Sequence, residues 1–169
     1  MSLFARPAVA SFAAKSMQRL AVAADRRPSG RGSAAASHGR FPQFPRTVRE
    51  LTVPTSVAPA RAMVYLPTTE GPPPPVHVNF HGGGYVMPLT EIDDPLCRHL
   101  AAEAGVAVIN VDYVVAPQHR FPAPPRQAFE VVRWIAEHGG EHGWDGGRLS
   151  VGGPERGRRA GRGGGASGA

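Results

Sequence analysis

The sequence predicts an α/β fold: a mostly parallel sheet with helices on its faces. Short β-branched runs alternate with amphipathic stretches of helical spacing. Val106–Val111 (VAVINV) is a continuous apolar run, as expected of a strand covered on both faces. The first two strands have no helical stretch between them, so the sheet should begin with an antiparallel pair.

Each element has its own local reason. Residues 8–24 place Val9, Phe12, Ala13, Leu20 and Val22 along a loose helical face, predicting an amphipathic helix within 1–25 that packs on the domain. Residues 26–46 are rich in Gly, Ser and Pro and read as a flexible linker. Val48–Val53 and Arg61–Leu66 read as strands, the second with Ala62, Val64 and Leu66 on one face, and Pro54 and Pro59 mark the turn between them. Val76–Phe80 (VHVNF) is a short strand running into His81-Gly82-Gly83-Gly84-Tyr85. Residues 94–104 form a helix capped by Asp94, with Pro95 in its first turn, Leu96, Leu100 and Ala104 at helical spacing and Gly105 as its stop. Residues 124–138 form another, with Ala128, Val131, Val132 and Ile135 inward, and Arg148–Val151 is a last strand before Gly152-Gly153. A domain over residues 47–153 follows, and residues 154–169, which hold no Val, Leu, Ile or aromatic residue, read as a disordered Gly/Arg tail.

Charge sharpens this division. The chain has 169 residues and a net charge of +6. Residues 1–40 carry seven basic side chains and one acidic, residues 41–153 eight and eleven, and residues 154–169 four and one. The middle is therefore acidic, which excludes a uniformly basic nucleic-acid surface there. One cysteine, Cys97, excludes an intrachain disulfide and a cysteine-based zinc site. No apolar run reaches the roughly 18–20 residues of a membrane span. The Arg-rich, acid-poor start lacks a continuous apolar signal region, and a cytoplasmic protein is expected.

The strongest chemical signal is the triple glycine after the third strand. Consecutive glycines let backbone approach a ligand and turn N–H groups outward, where they can hold a developing oxyanion. The segments Val76–Tyr85 (VHVNFHGGGY), Asn110–Pro124 (NVDYVVAPQHRFPAP) and Gly143–Gly153 (GWDGGRLSVGG) together resemble the α/β-hydrolase fold, specifically the hormone-sensitive-lipase-like esterases. The resemblance covers residues 47–153 and implies the N-terminal part of that fold, strands one to five. It implies that Gly83 and Gly84 supply oxyanion-hole N–H groups, with His81, Gly82, Tyr85, Asp112 and His119 as supporting motif residues. Two positions depart from the family: Gln118 stands where Glu is usual and Val114 where Arg is common.

The family's nucleophile elbow, G-x-S-x-G, should follow the fifth strand. Gly153-Pro154-Glu155-Arg156-Gly157 keeps the glycine spacing but has Glu155 in place of serine. A carboxylate can act as a nucleophile, but no apolar helix follows to hold the elbow. The acid and histidine of a catalytic triad are also missing downstream. The genetic code offers a reason. Reading from the second base of codon 154, the degenerate codons of the tail permit Gln-Ser-Ala-Gly-Gly-Ala-Leu, which is an elbow followed by small and apolar residues. The expectation is a frameshifted tail on a carboxylic-ester hydrolase, inactive as this chain. The alternative is a non-catalytic fragment or interaction module.

His138-Gly139-Gly140-Glu141-His142 fits H-x-x-E-H, a zinc-hydrolase pattern, but its two glycines oppose a helix and a polar loop is expected. His38, His77 and His99 have no visible partner, and Asp93 and Asp94 read as helix caps. The resemblance implies no cofactor and no metal. It implies a small-molecule ester as the parent family's substrate, with no nucleic-acid partner, no membrane span and no indication of oligomeric state.

Overall fold

The computed structural model describes residues 7–25, 44, 48–68 and 71–154. The elements are α1 (Pro7–Asp25), β1 (Val48–Val53), β2 (Ala60–Tyr65), β3 (Pro75–Phe80), a 3-10 turn (Thr90–Asp93), α2 (Asp94–Ala104), β4 (Ala107–Asp112), α3 (Ala123–Glu137), α4 (Gly139–His142) and β5 (Asp145–Gly152). Of the expected linker 26–46 only Phe44 is described, and of the expected tail 154–169 only Pro154.

The five strands form one sheet in the order β1-β2-β4-β3-β5. β1 and β2 pair antiparallel, as do β2 and β4, whereas β3 runs parallel to both β4 and β5. The antiparallel start and parallel continuation match the sequence reading. Strand alternation sends Val76, Val78, Phe80, Ile109 and Val111 to one face, where they pack with Val131 and Ile135 of α3 and with Trp144. The opposite face brings Tyr65 and Val108 against Cys97 and Ala101 of α2. β4 is buried along nearly its whole length, as its continuous apolar run requires. β5 is only partly covered and pairs, among the described residues, with β3 alone.

Close approach explains one glycine. A Cβ on Gly146 would lie 2.1 Å from the Ala136 carbonyl oxygen, so β5 can start against the end of α3 only without a side chain there.

Several expected details are corrected. Leu66 falls outside β2. α2 buries Pro95, Cys97, Arg98 and Ala101, while Leu96 is exposed and Leu100 half-buried. The helix is rotated because its charged pair turns inward. Arg98 Nε lies 3.0 Å from Asp94 Oδ2, with both side chains almost wholly buried. Tyr65 Oη donates to the same carboxylate at 3.0 Å, and Arg98 Nη1 donates to the Phe44 carbonyl at 2.7 Å. Asp94 is thus the first helical residue and not a cap. Asp93 occupies the cap position without a side-chain cap bond, because its carboxylate accepts from Asn79 Nδ2 at 2.9 Å. The expected loop at 138–142 is the one-turn helix α4. The His138 ring stacks on Trp134 at 4.6 Å and the His142 ring on Trp144 at 5.1 Å, which offsets the poor helix propensity of the glycines.

α1 is a helix whose expected face is only partly turned inward. Val9 and Ala13 are half-buried, but Phe12 and Leu20 are 74% and 71% exposed, Met17 is exposed too, and the most buried side chain described on the helix is Gln18.

Two stability predictions follow from the buried charges. Arg98→Met should cost about 3–5 kcal/mol, because Asp94 is left buried without its cation; urea unfolding followed by tryptophan fluorescence measures it, and a loss below about 1 kcal/mol would contradict this account. Asp93 behaves in the opposite sense. Burial lifts its carboxyl above the ordinary range, against the pull of the Asn79 hydrogen bond and nearby His81. At neutral pH the folded state therefore carries a carboxylate that the unfolded chain holds more easily, and this term raises stability as pH falls toward the lifted value. Asp93→Asn removes the charge and adds an N–H able to serve Asn79 Oδ1, which is buried without a partner among the described residues. The variant should be the more stable at pH 7, with its advantage shrinking as pH drops through the carboxyl range.

Candidate active-site loop

The site is built at the sheet edge where β3 and β4 both end. β3 delivers His81 fully buried, and the chain then turns through Gly82, Gly83, Gly84 and Tyr85. Gly83 (φ +117°), Gly84 (φ +67°) and Tyr85 (φ +59°) all adopt left-handed backbone conformations. A Cβ on Gly83 would lie 2.7 Å from the Met87 carbonyl oxygen, so both dihedral and space require glycine there. The turn is closed by Val86 and Met87 N–H groups donating to the Gly83 carbonyl at 3.1 and 3.0 Å. Gly84, at its apex, is exposed.

His81 anchors the base of this turn. Its ring stacks on Tyr113 with centroids 4.3 Å apart, and Tyr113 Oη donates to the His81 carbonyl at 2.8 Å. Nδ1 lies 2.7 Å from the Gly82 carbonyl oxygen, which can only accept, so Nδ1 carries the proton. Burial pushes the imidazole pKa down, favouring that neutral form, and Nε2 is left buried without a partner among the described residues. Tyr85 joins the second loop: its carbonyl accepts from Ala116 N–H at 2.7 Å, and its ring meets Tyr113 edge-on.

A polar ladder lies beneath. Asn79 of β3 donates to Asn110 Oδ1 of β4 at 2.8 Å, Asn110 Nδ2 donates to the Thr90 carbonyl at 2.8 Å, and Thr90 Oγ1 donates to Asp112 at 2.9 Å. Asp112 thus holds the 3-10 turn that follows the glycine loop. His119 stands in the turn after β4, where its N–H donates to the Val115 carbonyl at 3.0 Å. His81, Gly82, Gly83, Gly84, Tyr85 and Asp112 are gathered at one edge, with His119 in the adjoining loop. Glu155 lies outside the described residues.

Sequence reasoning missed four contributors. Asn79 and Asn110 had a visible signal, since they are polar residues that interrupt apolar strands and pair in register, whereas Thr90 lies in the 3-10 turn without such a signal. Gln18 had none. Its Nε2 donates to the Val86 carbonyl at 2.5 Å and the Ala116 carbonyl at 2.7 Å, while Gln118 Nε2 donates to Gln18 Oε1 at 2.9 Å. At the β5 side of the sheet His77 also acquires a partner, Ser150 Oγ at 2.9 Å. Among the described residues no group of three or more His, Cys, Asp or Glu side chains is placed to hold a metal ion, and no helix is long and apolar enough to cross a membrane.

Comparison with known proteins places this geometry. A family model described as alpha/beta hydrolase fold matches residues 77–157. Esterase LipI of Mycobacterium tuberculosis is 38% identical over 112 residues, covering 65% of this chain and 35% of that protein. Carboxylic ester hydrolase LipN of the same organism is 34% identical over 117 residues, covering 69% and 31%. Among solved structures, the hyperthermophilic esterase from Pyrobaculum calidifontis superposes with a TM-score of 0.67 at 29% identity, over 89% of this chain and 45% of that one. A bacterial heroin esterase does so with a TM-score of 0.65 at 34% identity, over 69% and 38%. The chain spans about a third of the length of these curated relatives and less than half of these solved ones. With its five-stranded mixed sheet and flanking helices, the chain carries part of the α/β-hydrolase fold and resembles esterases that share it.

Proposed function

We propose that the Gly82–Tyr85 turn is the oxyanion-hole segment of a serine carboxylic-ester hydrolase, and that the chain with Glu155 does not itself turn esters over. The carrying observation is the left-handed glycine turn at the end of β3, inside a family match that also runs through Gly153-Pro154-Glu155-Arg156-Gly157. The glycine spacing of that segment puts Glu155 at the centre of G-x-S-x-G, where the reaction needs serine.

In the proposed parent reaction, serine attacks the acyl carbon and its proton passes to a histidine oriented by an acid. The carbonyl oxygen becomes an oxyanion between the Gly83 and Gly84 N–H groups. The alcohol leaves with the proton from histidine. Water then attacks the acyl-enzyme, giving the acid and free serine. The described residues contribute the rigid donor turn: His81, clamped between Tyr113 and Gly82, sets its base, and Tyr85 ties its far side to the loop after β4.

Three outcomes test this. The present chain should show no labelling by a fluorophosphonate probe and no hydrolysis of a p-nitrophenyl ester above background; labelling at Ser150 would contradict the reading. Deleting one base at codon 154 of the gene should give a product that carries serine at position 155, takes up the probe there and hydrolyses the ester. A nucleotide sequence without an open frame beyond that point would overturn the frameshift. In that restored product Gly83→Ala should lower kcat by roughly 100- to 1000-fold with KM much less affected, because the donor turn, needed mainly in the transition state, is distorted.

A further inference from the structure

We propose that Gln18 is a positioning residue for the glycine turn, so that the setting of Gly83 and Gly84 depends on α1 being seated; this rests on the oxyanion-hole reading of that turn. Amphipathic helices ordinarily dock by their apolar face. α1 departs from the rule: Val9 and Ala13 are half-buried, but the large apolar Phe12, Met17 and Leu20 are exposed while Gln18 is 8% exposed. What the helix delivers is a primary amide placed between two loops. One amide hydrogen goes to the Val86 carbonyl, in the turn closed on Gly83, and the other to the Ala116 carbonyl, in the loop after β4. Both donors of the group are used, and both acceptors lie far away in sequence.

These two bonds brace a connection that already exists. Ala116 N–H donates to the Tyr85 carbonyl, so residue 116 touches the glycine loop through its N–H and Gln18 through its C=O. Gln118 then holds the Gln18 carbonyl, fixing which end of the amide points at the loops. An amide there can donate to Gln18, which an ionised carboxylate cannot. Among the described residues the other polar contact from α1 is long and exposed, Arg120 Nη2 to Ser11 Oγ at 3.4 Å. The described directional bonds of the helix thus converge on Gln18, and removing them frees the turn without opening the apolar core.

The test is residue-resolved amide hydrogen exchange on the 169-residue chain, comparing wild type with Gln18→Met, Gln18→Glu and Phe12→Ser. Gln18→Met keeps length and loses both donors; Gln18→Glu presents a carboxylate to two carbonyl oxygens. Both should speed exchange at Val86, Met87 and Ala116 about tenfold or more, the loss expected from two hydrogen bonds, while Val78 and Ile109 in the sheet stay unchanged. Phe12→Ser, on the exposed face, should leave all five amides as in wild type. Unchanged exchange at 86, 87 and 116 in both Gln18 variants would overturn the proposal. Equal acceleration at Val78 and Ile109 would overturn it too, by making Gln18 a general stability residue. None of these readouts depends on ester turnover, so the proposed chemistry can fail separately.

Discussion

Parallel pairing of β3 with β4 decides where everything else in this molecule can be. Because the two strands run the same way, the loops that leave them emerge side by side at one sheet edge. The glycine turn follows one strand, and the loop of Tyr113, Ala116 and His119 follows the other. Register matters as much as direction. Asn79 sits opposite Asn110, so the two amides meet on one face while Val78 and Ile109 meet on the other. A slip of one residue would send the amides into the apolar side and dissolve the contact that holds the 3-10 turn.

Most of the scaffold was legible because it rests on local signals. The strand runs, the proline in the first turn of α2 and the glycine after it each have one physical meaning, and the strand and helix ends fall within a residue or two of expectation, except that β5 begins three residues early at Asp145. The glycine turn was legible for the same reason, since three consecutive glycines announce backbone that side chains cannot adopt. What escaped was decided at long range. Leu96 looked like a core residue of α2, yet the pull of Asp94 and Arg98 on Tyr65 and the Phe44 carbonyl set the helix rotation. His138 and His142 looked like ligands or loop residues, and here the deciding partners are near in sequence: Trp134, one helical turn before His138, and Trp144, two residues after His142, captured their rings. Gln18 was invisible because its partners lie 68 and 98 residues away.

The polar layer under the glycine turn also stands apart from the rest of the interior. Elsewhere the sheet buries valine and isoleucine against α3. Here Asn79, His81, Asp93 and Asn110 are all buried, and two acceptor atoms, Asn79 Oδ1 and His81 Nε2, lack donors among the described residues. Such groups cost stability that an apolar layer would not. They give in exchange a fixed direction to each strand end, the property a backbone donor site needs.

The bond from Arg98 to the Phe44 carbonyl has a consequence for α1. Eighteen residues lie between Asp25, where that helix ends, and Phe44, which α2 holds in place. The helix is thus joined through the chain itself to the body it docks on, with Phe44 held at the far side. Two amide hydrogen bonds would give only a feeble complex between separate molecules. Covalent connection makes the docking intramolecular, so contacts too weak to join separate molecules can still hold the helix in place. Cutting the chain between Asp25 and Phe44 would turn the same helix into a peptide that dilution alone removes.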